Sequence, residues 1–184
     1  MKPIYLDLHI HTSEDEENLN QNYDVDLLLS KIRRINDNSD FLISLTDHNT
    51  INKDAYMKLL SRTDNVILGV ELHIKNAENK PPYHCHIYFN APIEDAVIDS
   101  LNEILDELYP NKLPDRNDPN TPDIQKIINS FDTFDFILLP HGSQKHGAFN
   151  YSINDGENLD NAINARKAAE LKYFGEYAPS HHNK

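Results

Sequence analysis

The chain has a single cysteine, Cys85, which excludes an internal disulfide framework and any zinc site built from several thiolates. Glycine is scarce, with five residues, and none of them forms the Gly-rich cradle or Walker-type loop that holds a nucleotide phosphate. Basic residues are outnumbered: 17 Lys and Arg against 30 Asp and Glu leave a net charge of −13, which argues against a broad cationic surface for duplex DNA. No run approaches the roughly 18–20 apolar residues that span a bilayer. The N-terminus, MKPIYLDLHIHT, has one Lys and only a short apolar run, unlike a secretory signal. These absences lead to the expectation of a soluble, cytoplasmic protein with no membrane partner.

What is present is enough for one core. A length of 184 residues with 39% hydrophobic content suits a single globular domain over residues 1–184, of open oligomeric state. The acid surplus does not exclude a nuclease, because bound divalent cations offset carboxylates and attract a phosphodiester.

Metal-type residues recur where apolar runs stop. His9-Ile10-His11 follows Ile4 to Leu8, and residues two apart on a strand share a face, so both imidazoles can grip one ion. Asp47-His48 follows Phe41 to Leu45, and Glu71 closes Val66 to Val70. His84-x-His86 opens Ile87-Tyr88-Phe89, and His141 ends Phe136 to Pro140. Cys85 lies between two histidines and reads as a reduced strand residue facing away from them.

Between these points the pattern alternates short β-like runs with helical ones, as in an α/β domain with parallel strands. Asp24 or Asp26 can cap a helix running through Leu27 to Ile35, with Lys31, Arg33 and Arg34 outward. Further helices are expected around Ala55 to Leu60 and over roughly Glu94 to Leu108. The second would bury Ala96, Val97, Leu101, Ile104, Leu105 and Leu108. Strands are expected from Phe41 to Leu45, Val66 to Glu71, His84 to Phe89, and Phe134 or Asp135 to Pro140. His73 to Pro82 reads as a hairpin-like excursion. Thr121-Pro122-Asp123 opens a helix as cap, first-position proline and first-turn acid. Glu157 to Leu171 is a final amphipathic helix.

Taken in order, Leu8-His9-Ile10-His11-Thr12, Thr46-Asp47-His48-Asn49-Thr50, Gly69-Val70-Glu71, His86-Ile87 and Pro140-His141-Gly142 resemble the PHP domain, the polymerase and histidinol phosphatase superfamily. The resemblance implies a distorted (β/α)7 barrel, incomplete at its C-terminus here, with two or three divalent ions (Mn, Zn or Fe) at the C-terminal ends of the strands. It implies a metal-dependent phosphoesterase, a hydrolase of phosphomonoesters or phosphodiesters. Carried over by motif, His9, His11, Asp15, His48, Glu71, His86 and His141 are the implied metal ligands. Glu14 and Glu16 compete with Asp15, and Asp47 would orient an imidazole. Glu71 is the expected bridging carboxylate, and it and His48 are candidate catalytic residues.

His84 is expected to contact substrate. Lys145 and His146 are candidates for binding the phosphate and protonating the leaving group. His73 shares strand parity with Glu71, although as a lone histidine it reads more simply as structural or exposed.

One departure is that the Asp-x-His expected on a last strand is absent after His141; His181-His182 have no acid two positions before either. Either the chain is the front part of a longer protein or it is a degenerate member. The expectation taken is truncation, with an ATPase domain or subunit as a conceivable partner. The alternative function is a non-catalytic, regulatory metal-binding module of a larger protein. The expected partner is a phosphate-ester substrate, with nucleic acid as one form of it.

Overall fold

A computed structural model describes residues 5–13, 18–35, 40–75, 82–112 and 120–140. The chain divides into two compact units, residues 1–141 and 142–184, and every described residue lies in the first. The expected helix over residues 157–171 lies outside the described residues, as do Asp15, His141, Lys145 and His146.

Nine elements follow in order: β1 (Tyr5–Ile10), α1 (Val25–Ile35), β2 (Phe41–Leu45), α2 (Lys53–Leu60), β3 (Leu68–Ile74), β4 (Tyr83–Phe89), α3 (Asp95–Leu108), α4 (Ile124–Ser130) and β5 (Phe136–Pro140). The first half is built as β/α units. Strands β1 and β2 pair in parallel, joined through α1, and a register shift between Asp7 and Ile10 marks where His9 leaves the ladder. Helix α1 starts where the Asp24 carboxylate accepts the Leu27 N–H at 2.8 Å, and it buries Val25, Leu29 and Ile32 while Arg33 and Arg34 stay exposed. Asn52 caps α2 by accepting the Ala55 N–H at 3.1 Å.

The second half departs from the expected barrel. Strand β4 pairs antiparallel with β3, and β5 antiparallel with β4. The described residues therefore form a two-stranded parallel sheet and a three-stranded antiparallel sheet with four helices, and no closed (β/α)7 barrel. The physical reason lies in the link from Ile74 to Tyr83. A parallel return needs a crossover of about a dozen or more residues, usually a helix, and this link is a hairpin-length connection. The two sheets meet along β2 and β3 through isolated parallel bridges, Ile43 with Val66 and His48 with Glu71.

Tyr56 explains why this seam is not a continuous ladder. Its fully buried hydroxyl donates to the Leu45 carbonyl at 2.7 Å and accepts the N–H groups of Gly69 at 2.9 Å and Leu45 at 3.1 Å. A phenol from α2 thus takes bonds that a neighbouring strand would otherwise make.

The period-two alternation of β3 and β4 separates core from site. Leu68, Val70, Leu72 and Ile74 share one face with Tyr83, Cys85, Ile87 and Phe89; all are buried. Helix α3 buries Ile98, Leu101, Leu105 and Leu108. That stripe corrects the expected one at Ala96, which is exposed, and at Val97 and Ile104, which are half-buried, and adds Ile98. In α4 the cap is Asp123, whose carboxylate accepts the Lys126 N–H at 2.7 Å, two positions later than the Thr121 that the sequence pattern suggested.

Candidate metal centre

The opposite face of β3 and β4 carries Glu71 and His73 across from His86 and His84, in the register Glu71 to His86 and His73 to His84. Antiparallel pairing puts the end of one strand beside the start of the next. Two of the histidines therefore come from the first half of an antiparallel strand, not from the C-terminal end of a parallel one.

His9 and His11 arrive from the end of β1, and His48 from the turn after β2. That turn is fixed by its backbone: the Glu71 N–H donates to the Asp47 carbonyl at 3.1 Å and the Asn49 N–H to the Glu71 carbonyl at 2.7 Å. Asp47 holds the chain just past His11, accepting the Thr12 N–H at 2.7 Å and the Thr12 hydroxyl at 2.8 Å. Burial raises the Asp47 carboxyl above its ordinary value, against these two bonds. Asn52 then donates to the Thr12 hydroxyl oxygen at 2.8 Å, so the loop carrying His11 is tied to α2 as well.

Glu71 is the centre of the arrangement, with only 1% of its surface exposed. Its Oε2 lies 3.1 Å from His11 Nε2, 3.2 Å from His9 Nε2 and 3.6 Å from His48 Nδ1. Its Oε1 lies 2.8 Å from His84 Nδ1 and 3.7 Å from His86 Nε2. Burial pushes the carboxyl up, but the hydrogen bonds with His11, His84 and His9 overcome it and hold Glu71 well below the usual carboxylate range. Glu71 is therefore an anion with five imidazoles around it, divided between its two oxygens.

The donor set fits a divalent ion. His9 Nε2 and His11 Nε2 are 2.9 Å apart, and each is within 3.2 Å of Glu71 Oε2. Ligands at about 2.0–2.1 Å from a metal sit about 2.9–3.4 Å from one another in octahedral to tetrahedral sites. A mixed imidazole and carboxylate set of this kind suits a divalent metal ion. His48 is kept ready to act as a neutral ligand: burial lowers it most, Glu71 pulls it up, and His11, His84 and His9 push it down again, to about 4.

Of the residues expected at the site, His9, His11, His48, Glu71, His84 and His86 are brought together. His84, expected against substrate, stands in direct contact with Glu71. His73 joins them, with its ring centroid 4.4 Å from that of His84 and 5.1 Å from that of His48. Strand parity with Glu71 was the signal for it. Asn49, which no sequence signal singled out, bonds to both the backbone and the ring of His73. Cys85 is buried on the core face, and burial, with Glu71 nearby, pushes its thiol up to about 12, so it is no thiolate ligand.

A cavity of about 870 Å³ opens beside His11 and His48, walled by Thr12, Tyr23, Leu28 and Lys31. The Tyr88 hydroxyl donates to the Leu8 carbonyl at 2.7 Å and so joins β4 to β1.

No family model and no curated protein matches the chain. Among solved structures it is similar to an amidohydrolase from Chromobacterium violaceum, determined with bound sulfate and no metal, at 19% identity and a TM-score of 0.40. That likeness covers 58% of this chain and 34% of the other, so the chain spans about a third of that protein's length. At this level of similarity it carries no argument about function. The PHP resemblance rests on the sequence motifs.

Proposed function

We propose that the chain is a metal-dependent hydrolase and, more finely, a phosphoesterase acting on a phosphomonoester or phosphodiester. The observation that carries the reading is Glu71, a buried anion whose two oxygens face separate sets of imidazoles. His9, His11 and Glu71 would hold one ion. Glu71, with His84 and His86, would serve a second, with His48 beside them. Divalent ions bound there supply Lewis-acid polarisation of a phosphoryl oxygen and lower the pKa of water to near neutrality.

The chain's own residues do the rest. Glu71 stays ionised, so it offers both oxygens as acceptors, and the low value of His48 keeps that imidazole neutral across physiological pH. Asp47, Thr12 and Asn52 fix the loop behind His11, so the ring does not have to be ordered when a ligand arrives. The cavity beside His11 and His48 has room for a small ester or a single-stranded nucleic-acid end. Asp15, His141, Lys145 and His146, outside the described residues, remain proposed as a further ligand pair, an anion contact and a proton donor.

The test is a panel of phosphomonoesters and phosphodiesters offered to protein loaded with manganese, zinc or iron, beside Glu71→Ala treated identically. Hydrolysis by the wild type that is reduced at least a hundredfold in Glu71→Ala supports the reading. Full metal loading without hydrolysis of any ester contradicts it and leaves a metal-binding module.

A further inference from the structure

Three buried histidines, His48, His73 and His84, each bring a ring nitrogen within 4.8 Å of the other two. By distance alone they form another metal site. The hydrogen bonds around His73 give a different assignment. Asn49 lies in the left-handed region at φ 53°, a conformation Asn tolerates, and this aims its amide at β3. Its Oδ1 accepts the His73 backbone N–H at 2.9 Å, and its Nδ2 donates to the Lys112 carbonyl at 2.6 Å. Those two bonds fix which end of the amide is oxygen. The same Nδ2 lies 2.9 Å from His73 Nδ1. An amide nitrogen only donates, so Nδ1 accepts, and a neutral imidazole that accepts at Nδ1 carries its proton on Nε2. The Nδ1 lone pair is then taken by the Asn49 amide and Nε2 carries its proton, so neither nitrogen is offered to a cation.

The backbone holds this ring in place. The Tyr109 hydroxyl donates to the His73 carbonyl at 2.8 Å, so both backbone polar groups of His73 are tied. His84 is the complement. Its Nδ1 lies 2.8 Å from Glu71 Oε1, so this ring faces the carboxylate where that of His73 faces an amide.

Resting on the reading of Glu71 as the centre of a metal site, we propose that His73 is not a ligand but a positioning residue. Asn49 locks it as an Nε2–H donor beside the rings of His84 and His48. The three-ring group then meets a lone pair at His73, of water, substrate oxygen or a neighbouring imidazole, and not a cation.

Nitrogen-15 NMR of histidine-labelled protein reads this directly. In metal-free wild type, His73 is expected to show an unprotonated Nδ1 and a protonated Nε2, and zinc loading is expected to shift His9 but leave His73 in that tautomer. His73→Gln, which keeps an amide donor and acceptor, should bind as many ions per chain as the wild type. Asn49→Asp offers an acceptor to Nδ1, so it should move the proton to Nδ1 and free Nε2 as a ligand.

An Nδ1–H tautomer in the wild type, a metal-dependent shift at His73, or loss of one ion per chain in His73→Gln would each overturn the assignment. So would an Asn49→Asp protein whose His73 tautomer is unchanged. If zinc moves neither His9 nor His73, the metal reading fails by itself, and the metal-free tautomer still decides the role of His73.

Discussion

Glu71 bears most of the account, because burying a carboxylate is costly unless charge and hydrogen bonds compensate for it. Its five imidazole neighbours do so. Replacing it with Gln keeps the shape but removes the anion, and removing a direct ligand should cost more than the 10–100-fold in metal affinity typical of outer partners. A competition titration with a chelating dye checks this. Acid should disturb the same group. Glu71 has a folded value below its ordinary one, so its stabilisation is present above about pH 4.5 and is lost as pH falls further. His48 is lowered from 6.5 to about 4, so the unfolded chain binds the extra proton first, and stability drops as pH falls from 6.5 towards 4. The shift corresponds to a loss on the order of 3 kcal/mol across that window. Melting temperatures of metal-free protein should therefore decline from pH 6.5 to 4, and His48→Gln should flatten the decline.

At the scale of elements, the seam between β2 and β3 depends on two side-chain choices. Tyr56→Phe removes the acceptor for the Leu45 and Gly69 N–H groups, and each buried donor left unpaired costs about 1–3 kcal/mol. Gly69 permits the close approach of the two sheets. A Cβ there would stand 2.5 Å from Ser44 Oγ and 2.8 Å from the Tyr88 ring. Gly69→Ala should destabilise by about 1–3 kcal/mol through overpacking. It should also displace the Tyr88 ring that links β4 to β1. Urea unfolding of both variants measures these costs.

The same elements show what could be read from the sequence. The β/α alternation through α2 and the limits of β2 were visible because apolar period and cap residues are local signals. The face shared by Glu71, His73, His84 and His86 follows from a period of two. Strand direction is not encoded in that period, since parallel and antiparallel strands alternate alike. The barrel expectation failed at β4 for this reason, although the hairpin-length link before Tyr83 carried the needed information. Asn49 was illegible because its role depends on a left-handed backbone and on a carbonyl, that of Lys112, distant in sequence.

Over the whole molecule, the net charge of −13 sets what can approach. Nonspecific binding to duplex DNA needs cations that release counterions, so at physiological salt and without metal, fluorescence anisotropy should detect no duplex binding in the micromolar range. No helix among the described residues is long and apolar enough to cross a membrane. Histidines from the end of β1, from the turn after β2 and from β4 meet around one carboxylate of β3, so the site forms only when both sheets are in place.

That convergence makes ion stoichiometry the most direct test. Elemental analysis of untagged wild type, His9→Ala and Glu71→Ala, each loaded with manganese, zinc or iron and freed of excess, should find two or more ions per wild-type chain. Occupancy should fall in both variants, further in Glu71→Ala because its carboxylate serves both sets. Equal occupancy in all three proteins, or no retained metal in the wild type, would contradict the metal centre built on Glu71.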